Sequence, residues 1–391
     1  ADTLCNLGTA HYRIGDIERA RTAFQRALLV NPDHADSISN LAVLDQAFAD
    51  IAAAAAGYRR AITLDPDHVR SHWHLAHCLF LQGDYPGGWI EHEWRLLDDP
   101  QRKLHAMPLT QRLEFCSNAL DEIQSLLLVG EQGIGDTLQF IRYVPILTQR
   151  VGSITLCIPE RLHALIAASL PGIPLLTPAE GNIWASGPWL SLMSVAGLLE
   201  ESPEHPLIRE PYLSADPESV ERWSCNLSSA DGPVVALNWQ GNPSAEVGAF
   251  RGRSLTLEAF GPLASVSGVR FLSLQKGFGS EQFADCSFRD QFVACQELVD
   301  DAWDFLETAA ILANCDLVIT SDTALAHLSG ALGRPTWLLL HHVPDWRWGL
   351  EGDKSFWYPS MRLFRQAKPG DWAGVMSDVT EALRQWRDGL V

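Results

Sequence analysis

The sequence predicts an all-α amino-terminal segment followed by two α/β units, each built on a parallel sheet. Three observations predict it. The chain has 391 residues, too many for one ordinary core. Its first part repeats itself with a period of 34 residues, and from Ser125 onward short apolar runs alternate with amphipathic stretches.

The period is read by laying residues 1–34 on 35–68 without a gap. Leu7 then falls on Leu41, Gly8 on Ala42, Ala20 on Ala54, Phe24 on Tyr58, Ala27 on Ala61 and Pro32 on Pro66. A third unit starts at Val69 and frays after Glu91. The small residues Gly8, Ala20 and Ala27 are expected where antiparallel helices touch, with Leu7 and Phe24 filling the gap between pairs. Asn31-Pro32 and Asp65-Pro66 end each second helix, because the residue before proline leaves the helical region. This pattern closely resembles the tetratricopeptide repeat. Two roles follow for such an array: a peptide-binding groove, or a cap that braces the neighbouring domain. The expected organisation is repeats over 1–97, a linker over 98–122, an α/β domain over 123–214, a second over 232–368, and an amphipathic carboxyl-terminal helix over 369–391.

In the first α/β unit, strands are expected at 125–130, 153–158 and 173–176, with helices near 137–149 and 160–169. In the second, strands are expected at 233–239, 269–275, 316–320 and 335–340, with helices at 256–265, 303–314 and 322–332. Ligands of such sheets sit outside the carboxyl ends of the strands.

Composition excludes several classes. A net charge of −19 argues against nucleic acid or an anionic membrane as partner. The longest apolar runs, 125–129 and 336–340, are far short of the ~20 residues of a spanning helix. Eight scattered cysteines without a C-x-x-C pair read as small buried thiols, not a disulfide frame or zinc site. No basic-then-apolar leader opens the chain, so the expected compartment is the cytoplasm. The chain opens inside a repeat, as a fragment of a longer protein would.

Five motifs sit at strand ends. G-E-Q-G-I-G-D-T (130–137) lacks the G-x-G-x-x-G order of a dinucleotide loop, and Asp136 stands where a phosphate loop has lysine. Two readings of Asp136 stay open: a general base delivered into a cleft, or the N-cap of a helix beginning at Thr137. In I-T-S-D-T-A-L-A-H (319–327), Ser321 and Asp322 offer N-cap chemistry, and the amides of Thr323, Ala324 and Leu325 face an anion. Asp322 is a cap with or without a ligand contact; His327 is either packed or functional. L-N-W-Q-G-N-P (237–243) brings Asn238, Gln240 and Asn242 to a strand end, and Arg251 and Arg253 follow, either meeting an anion or lying in a solvated turn. Gln275 and Lys276 end another strand, within reach of a ribose or phosphate. Trp346, Trp348, Trp357 and Tyr358 are mostly packing, with one or two as a platform for a sugar or base.

Together E-Q-G-I-G-D (131–136), L-V-I-T-S-D-T-A-L-A-H-L-S-G-A-L-G (317–333) and D-W-R-W with W-Y-P-S-M-R-L-F-R-Q (345–366) resemble the bacterial heptosyltransferase-like glycosyltransferases in which tetratricopeptide repeats precede the transferase. The resemblance implies a GT-B fold, two Rossmann-like domains with the nucleotide diphosphate sugar bound mainly to the second. It also implies inverting transfer without a metal or other cofactor. By it, Asp136 matches the proposed base, Asp322, Thr323, Ala324 and His327 match the D-[ST]-G-x-x-H donor motif, and Arg253 falls near a basic residue at the donor phosphate. The donor set is thus Asn238, Gln240, Asn242, Arg253, Gln275, Lys276, Asp322, Thr323, Ala324 and His327. Ala324 replaces the motif's glycine, and the loop 245–250 is less polar than the family's. The implied partners are a sugar donor, a glycan or protein acceptor, and a protein on the repeats. Competing readings are a degenerate transferase serving as scaffold, a Rossmann oxidoreductase, and a sugar-nucleotide epimerase.

Overall fold

A computed structural model describes residues 1–97, 111–113, 120–181, 184, 187–228, 231–246 and 252–389. Most of the linker expected over 98–122, the greater part of the loop 245–250, Arg251 and Cys116 lie outside them. The chain divides into two compact units. One holds 1–101, 244–251 and 342–352; the other holds 102–243, 252–341 and 353–391.

The first unit is a row of helical hairpins: α1 (Asp2–Arg13), α2 (Ile17–Val30), α3 (Ala35–Ala47), α4 (Ile51–Leu64), α5 (Val69–Leu81) and α6 (Tyr85–His92). Aspartates at 16, 50 and 84 cap the second helix of each pair, each accepting a backbone N–H of the first turn. Helices touch where side chains are smallest. A Cβ on Gly8 would stand 2.5 Å from the Phe24 ring, and one on Gly57 2.8 Å from the Ala42 methyl. Phe24 is buried as expected, but Leu7 is 45% exposed. A second mark of the period is polar. His34 and His68 cap α3 and α5 by accepting the amides of Ser37 and Ser71, and their Nε2 atoms meet Asp2 (2.8 Å) and Asp36 (3.2 Å). A ring that accepts through Nδ1 carries its proton on Nε2, so each histidine donates to the carboxylate one repeat back. His34 holds the Asp2 carboxyl below its ordinary value.

The repeat unit also takes in residues that the sequence assigns to the second α/β domain. Val343 and Leu350 join Ile51, Tyr58, Leu75 and Leu79 in one apolar cluster. Trp346 stacks on Phe80 with ring centroids 4.2 Å apart and meets Trp89 edge-on.

The second unit holds two sheets in succession, the layout the GT-B expectation requires. The first half runs β1 (Leu126–Val129), α7 (Ile134–Phe140), α8 (Val144–Leu147), β2 (Ile154–Cys157), α9 (His163–Ser169), β3 (Leu175–Leu176), α10 (Pro178–Gly181), β4 (Trp189–Ser191) and α11 (Leu192–Leu198). Its strands are all parallel, in the order β3-β2-β1-β4. Helix α12 (Pro217–Leu227) follows, where the sequence reading places only a divide. The second half runs β5 (Val234–Asn238), β6 (Arg270–Ser273), α13 (Gln296–Asp301), α14 (Phe305–Ala313), β7 (Leu317–Ser321), α15 (Ala324–Ala331), β8 (Thr336–Leu340), β9 (Met361–Arg365) and α16 (Trp372–Asp388). Its parallel order is β6-β5-β7-β8-β9. Both faces of such a sheet are covered, so β5, β7 and β8 are buried along their whole length. Asp371 caps α16, which lays Val375, Met376, Val379 and Leu383 on the second sheet's core.

Two expected elements differ. The helix over 137–149 begins at Ile134 and breaks into a 3-10 turn at Ile141–Tyr143 before α8, which carries Pro145 in its first turn. The helix over 256–265 is a 3-10 run, Leu257–Ser265, with Pro262 inside it. Strands β4 and β9 are additional.

Candidate active site

The site is built from loops at the carboxyl ends of β1, β5, β6 and β7. Leaving β1, the chain passes Glu131, which is buried and accepts the Ser191 hydroxyl from the end of β4. Gln132 then takes φ +59°, a left-handed conformation that a glutamine rarely adopts. Gly133 caps α7. Asp136 is therefore not the N-cap of a helix starting at 137. It is the third residue of α7, and its Oδ2 reaches back to accept the Gly133 amide at 2.8 Å. That bond fixes the carboxylate on the half-buried rim of the loop.

The same loop meets the second half at one point. A Cβ on Gly135 would lie 2.8 Å from His327 Cδ2 and 3.5 Å from the Ala324 Cα. The backbone just before Asp136 thus touches the first and fourth residues of α15. The first and second motifs, about 190 residues apart in the chain, are brought together.

At the start of α15, the N-cap is Thr323, not Ser321 or Asp322. Thr323 has extended backbone angles, and its hydroxyl donates to Asn238 Oδ1 at 2.9 Å and caps nothing. The first amide to turn back within this segment is that of Ala326, onto Thr323 O, so those of Ala324 and Leu325 precede it. Asp322 is buried before the helix. His327 is 6% exposed, and its Nδ1 lies 3.0 Å from the Tyr358 hydroxyl.

The loop after β5 is organised by one side chain. Gln275, 3% exposed, accepts through Oε1 from Asn238 Nδ2 and from the amides of Trp239 and Gln240. Through Nε2 it donates to the carbonyls of Gln240 and Phe278. Its hydrogen-bonding capacity is spent within the protein, so it shapes the site without reaching a ribose or phosphate. Lys276 donates to the Val299 carbonyl, and burial holds its amine below the ordinary value. Asn238 is buried and joins the ends of β5, β6 and β7 through Gln275, Thr320 and Thr323. Gln240 accepts from Gln282, and Asn242 is exposed. The guanidinium of Arg253 lies over Gly241, where a Cβ would stand 2.9 Å from Nη2, and Gly241 N donates to Ser254 Oγ. The two parts of the third motif therefore meet.

The aromatic platform does not form. Trp346, Trp348, Trp357 and Tyr358 are all buried. Trp357 and Tyr358 instead surround Arg142, which the sequence reading passes over. A lone arginine inside the apolar run F-I-R-Y-V (140–144) was the available signal.

Comparison with known proteins gives three local family matches. Residues 1–34 and 39–88 match the tetratricopeptide repeat, and residues 301–342 match glycosyltransferase family 9 (heptosyltransferase). The last match spans α14 through β8 and includes Asp322, Thr323, Ala324 and His327. Matches to the tetratricopeptide repeat are thus followed, in one chain, by a match to glycosyltransferase family 9. The chain is 28% identical over 289 residues to protein FlbA of Caulobacter vibrioides, covering 67% of this chain. It spans 46% of FlbA's length. Among solved structures, the chain is similar to Escherichia coli ADP-heptose lps heptosyltransferase II, with 13% identity over 67% of this chain and 99% of that one, at a TM-score of 0.45. It is also similar to the family 9 glycosyl transferase of Veillonella parvula, with 13% identity over 68% of this chain and 92% of that one, at 0.48.

Among the described residues, no helix is long and apolar enough to cross a membrane, and no group of three or more His, Cys, Asp or Glu is placed to hold a metal. Five of the described cysteines are buried; Cys225 is exposed and Cys295 half-buried.

Proposed function

We propose that the family 9 domain transfers a sugar from a nucleotide diphosphate donor to an acceptor hydroxyl, inverting the anomeric centre, with no metal required. The observation that carries this reading is the approach of Gly135 to Ala324 and His327. The backbone next to Asp136 meets a helix start there, in a chain whose family match covers that helix.

In this reading the diphosphate lies on the first amides of α15, with Arg253 as counter-charge. Helix dipole and guanidinium stabilise the charge that grows as the bond to the anomeric carbon breaks. The acceptor oxygen forms the new bond on the opposite face, and its proton passes to Asp136. Asn238 and Gln275 act indirectly: they tie the ends of three strands so that the amides and Arg253 hold their places. The repeats supply a protein-binding surface; a cavity of about 450 Å³ among Arg59, Leu75, Leu79 and Glu91 is one place for it.

The test begins with calorimetry against UDP-, GDP-, ADP- and dTDP-sugars. Binding of none of them leaves the scaffold reading; turnover of donor without acceptor marks an epimerase. With a donor in hand, Asp136→Asn is the informative variant, because its amide oxygen still accepts the Gly133 N–H and preserves the loop. We expect kcat to fall by about 10²–10⁴ with the melting temperature unchanged, and EDTA to leave the wild-type rate intact. An Asp136→Asn enzyme at full rate removes the base; an EDTA-sensitive rate removes metal independence.

A further inference from the structure

We propose that Arg142 is a positioning residue for this site, acting through Tyr212 and Tyr358 to hold His327 and the Gly135 loop in register across the two halves of the domain. The proposal rests on the transferase reading for its kinetic consequence, but the geometry stands apart from it.

Arg142 follows α7 and is 1% exposed. No carboxylate lies within salt-bridge distance of it among the described residues. Its hydrogen bonds all run to neutral groups, with the Glu201 carboxyl acting at longer range. Nε donates to Gln139 O (2.9 Å), Nη1 to Trp357 O (3.0 Å) and Nη2 to the Tyr212 hydroxyl (3.2 Å). The guanidinium carbon lies 4.6 Å from the Tyr358 ring centroid, 4.8 Å from that of Tyr212 and 5.3 Å from that of Trp357. A desolvated guanidinium over aromatic faces gains more than an exposed one, and losing it strands several buried acceptors at once.

The three partners come from three different stretches of chain. Tyr212 lies in the connection between the halves. Its hydroxyl donates to Leu138 O in α7 (2.9 Å), and its amide donates to Ala331 O at the end of α15 (3.0 Å). Tyr358 precedes β9. Its ring lies where a Cβ on Gly330 would stand 2.5 Å away, so a glycine is required in α15. Its hydroxyl is 3.4 Å from that of Tyr212 and 3.0 Å from His327 Nδ1. His327 then packs on Gly135. The path runs from Arg142 through two phenols to the imidazole and back to α7, the helix that carries both Arg142's anchor and Asp136. Occupying Nδ1 sets the plane of the His327 ring, and the ring sets where the loop lies.

The test uses the full chain with Tyr358→Phe, Arg142→Lys and the double variant. Tyr358→Phe keeps the ring and deletes the hydroxyl that meets His327 Nδ1. With a donor and acceptor established, we expect Tyr358→Phe to lower kcat about tenfold and Arg142→Lys about thirtyfold. Donor affinity, carried by backbone amides and Arg253, should change less than twofold in both. The double variant should be no slower than Arg142→Lys, because residues acting in series do not add. Amide exchange in 134–140 of the free protein should rise in each variant. Multiplying effects, unchanged kcat, or a loss confined to donor affinity would overturn the proposal. If no sugar nucleotide is turned over, the transferase reading falls alone: exchange in 134–140 then decides the clamp, being raised if it stands and unchanged if it does not. Should Arg142→Lys fail to fold, Tyr358→Phe and Tyr212→Phe carry the same comparison.

Discussion

Gln275→Leu is expected to destabilise the sheet unit by about 4 kcal/mol. The side chain makes five hydrogen bonds inside the protein, three accepted and two donated. Leucine fills similar volume but leaves the Trp239 and Gln240 amides, the Asn238 amide, and the Gln240 and Phe278 carbonyls without partners. Each orphaned buried group costs about 1–3 kcal/mol, partly recovered where water reaches the loop. Against a domain stability of about 5–15 kcal/mol, such a loss is severe. Gln275→Glu should cost at least as much, since it sets a charged oxygen against the Gln240 and Phe278 carbonyls in a buried site. Urea denaturation of the three proteins measures this. Equal stability of wild type and Gln275→Leu would mean that the loop after β5 holds its own shape.

Gly135→Val is expected to lower kcat/KM by about 100-fold with little change in melting temperature. Gly135 does not need its freedom for backbone angle; it needs to have no side chain. A Cβ there would meet His327 Cδ2 at 2.8 Å, and His327 is buried and tied at Nδ1, so it has little room to yield. The loop must move instead, carrying Asp136 with it, and a displacement near 1 Å at reacting groups costs about this much. Gly135→Ala should show a smaller loss of the same kind. Gly261→Ala is the control, because a Cβ there meets nothing within 4 Å. Wild-type kinetics for Gly135→Val would show that the contact between the two loops has no bearing on turnover.

The elements read most directly were those whose stabilisation is local. The 34-residue period is visible because each hairpin repeats the same small-to-large contact. The strands β5, β7 and β8 are visible because burial on both faces demands unbroken apolar runs. Strand β4 escaped because W-L-S runs without punctuation into the helix that follows it. Strand β9 escaped because its apolar pattern M-R-L-F-R is broken by two arginines, one of them exposed at the sheet edge. At the site, the glycine-rich loop and the start of α15 were legible as motifs. Their contact was not, nor was the bond between Asn238 and Thr323, since both depend on register: Asn238 pairs with Thr320 across β5 and β7. For Gln275, sequence showed a polar residue at a strand end. Only the packing shows that it faces inward and serves the loops. Arg142 reads as an ordinary cation until Tyr212 and Tyr358, 70 and 216 residues later, arrive around it.

The placement of residues 342–352 has a consequence for how this protein can be divided. That stretch lies between two neighbouring strands of one sheet, β8 and β9, yet its Val343, Trp346 and Leu350 complete the apolar interior of the helical hairpins. A fragment stopped at residue 101 would leave Phe80 and Trp89 facing solvent and would be prone to self-association. Evolution faces the same restriction as the protein engineer. The hairpins cannot be lost, duplicated or traded as a cassette without replacing the insert at residues 342–352, so repeats and sheets are inherited together.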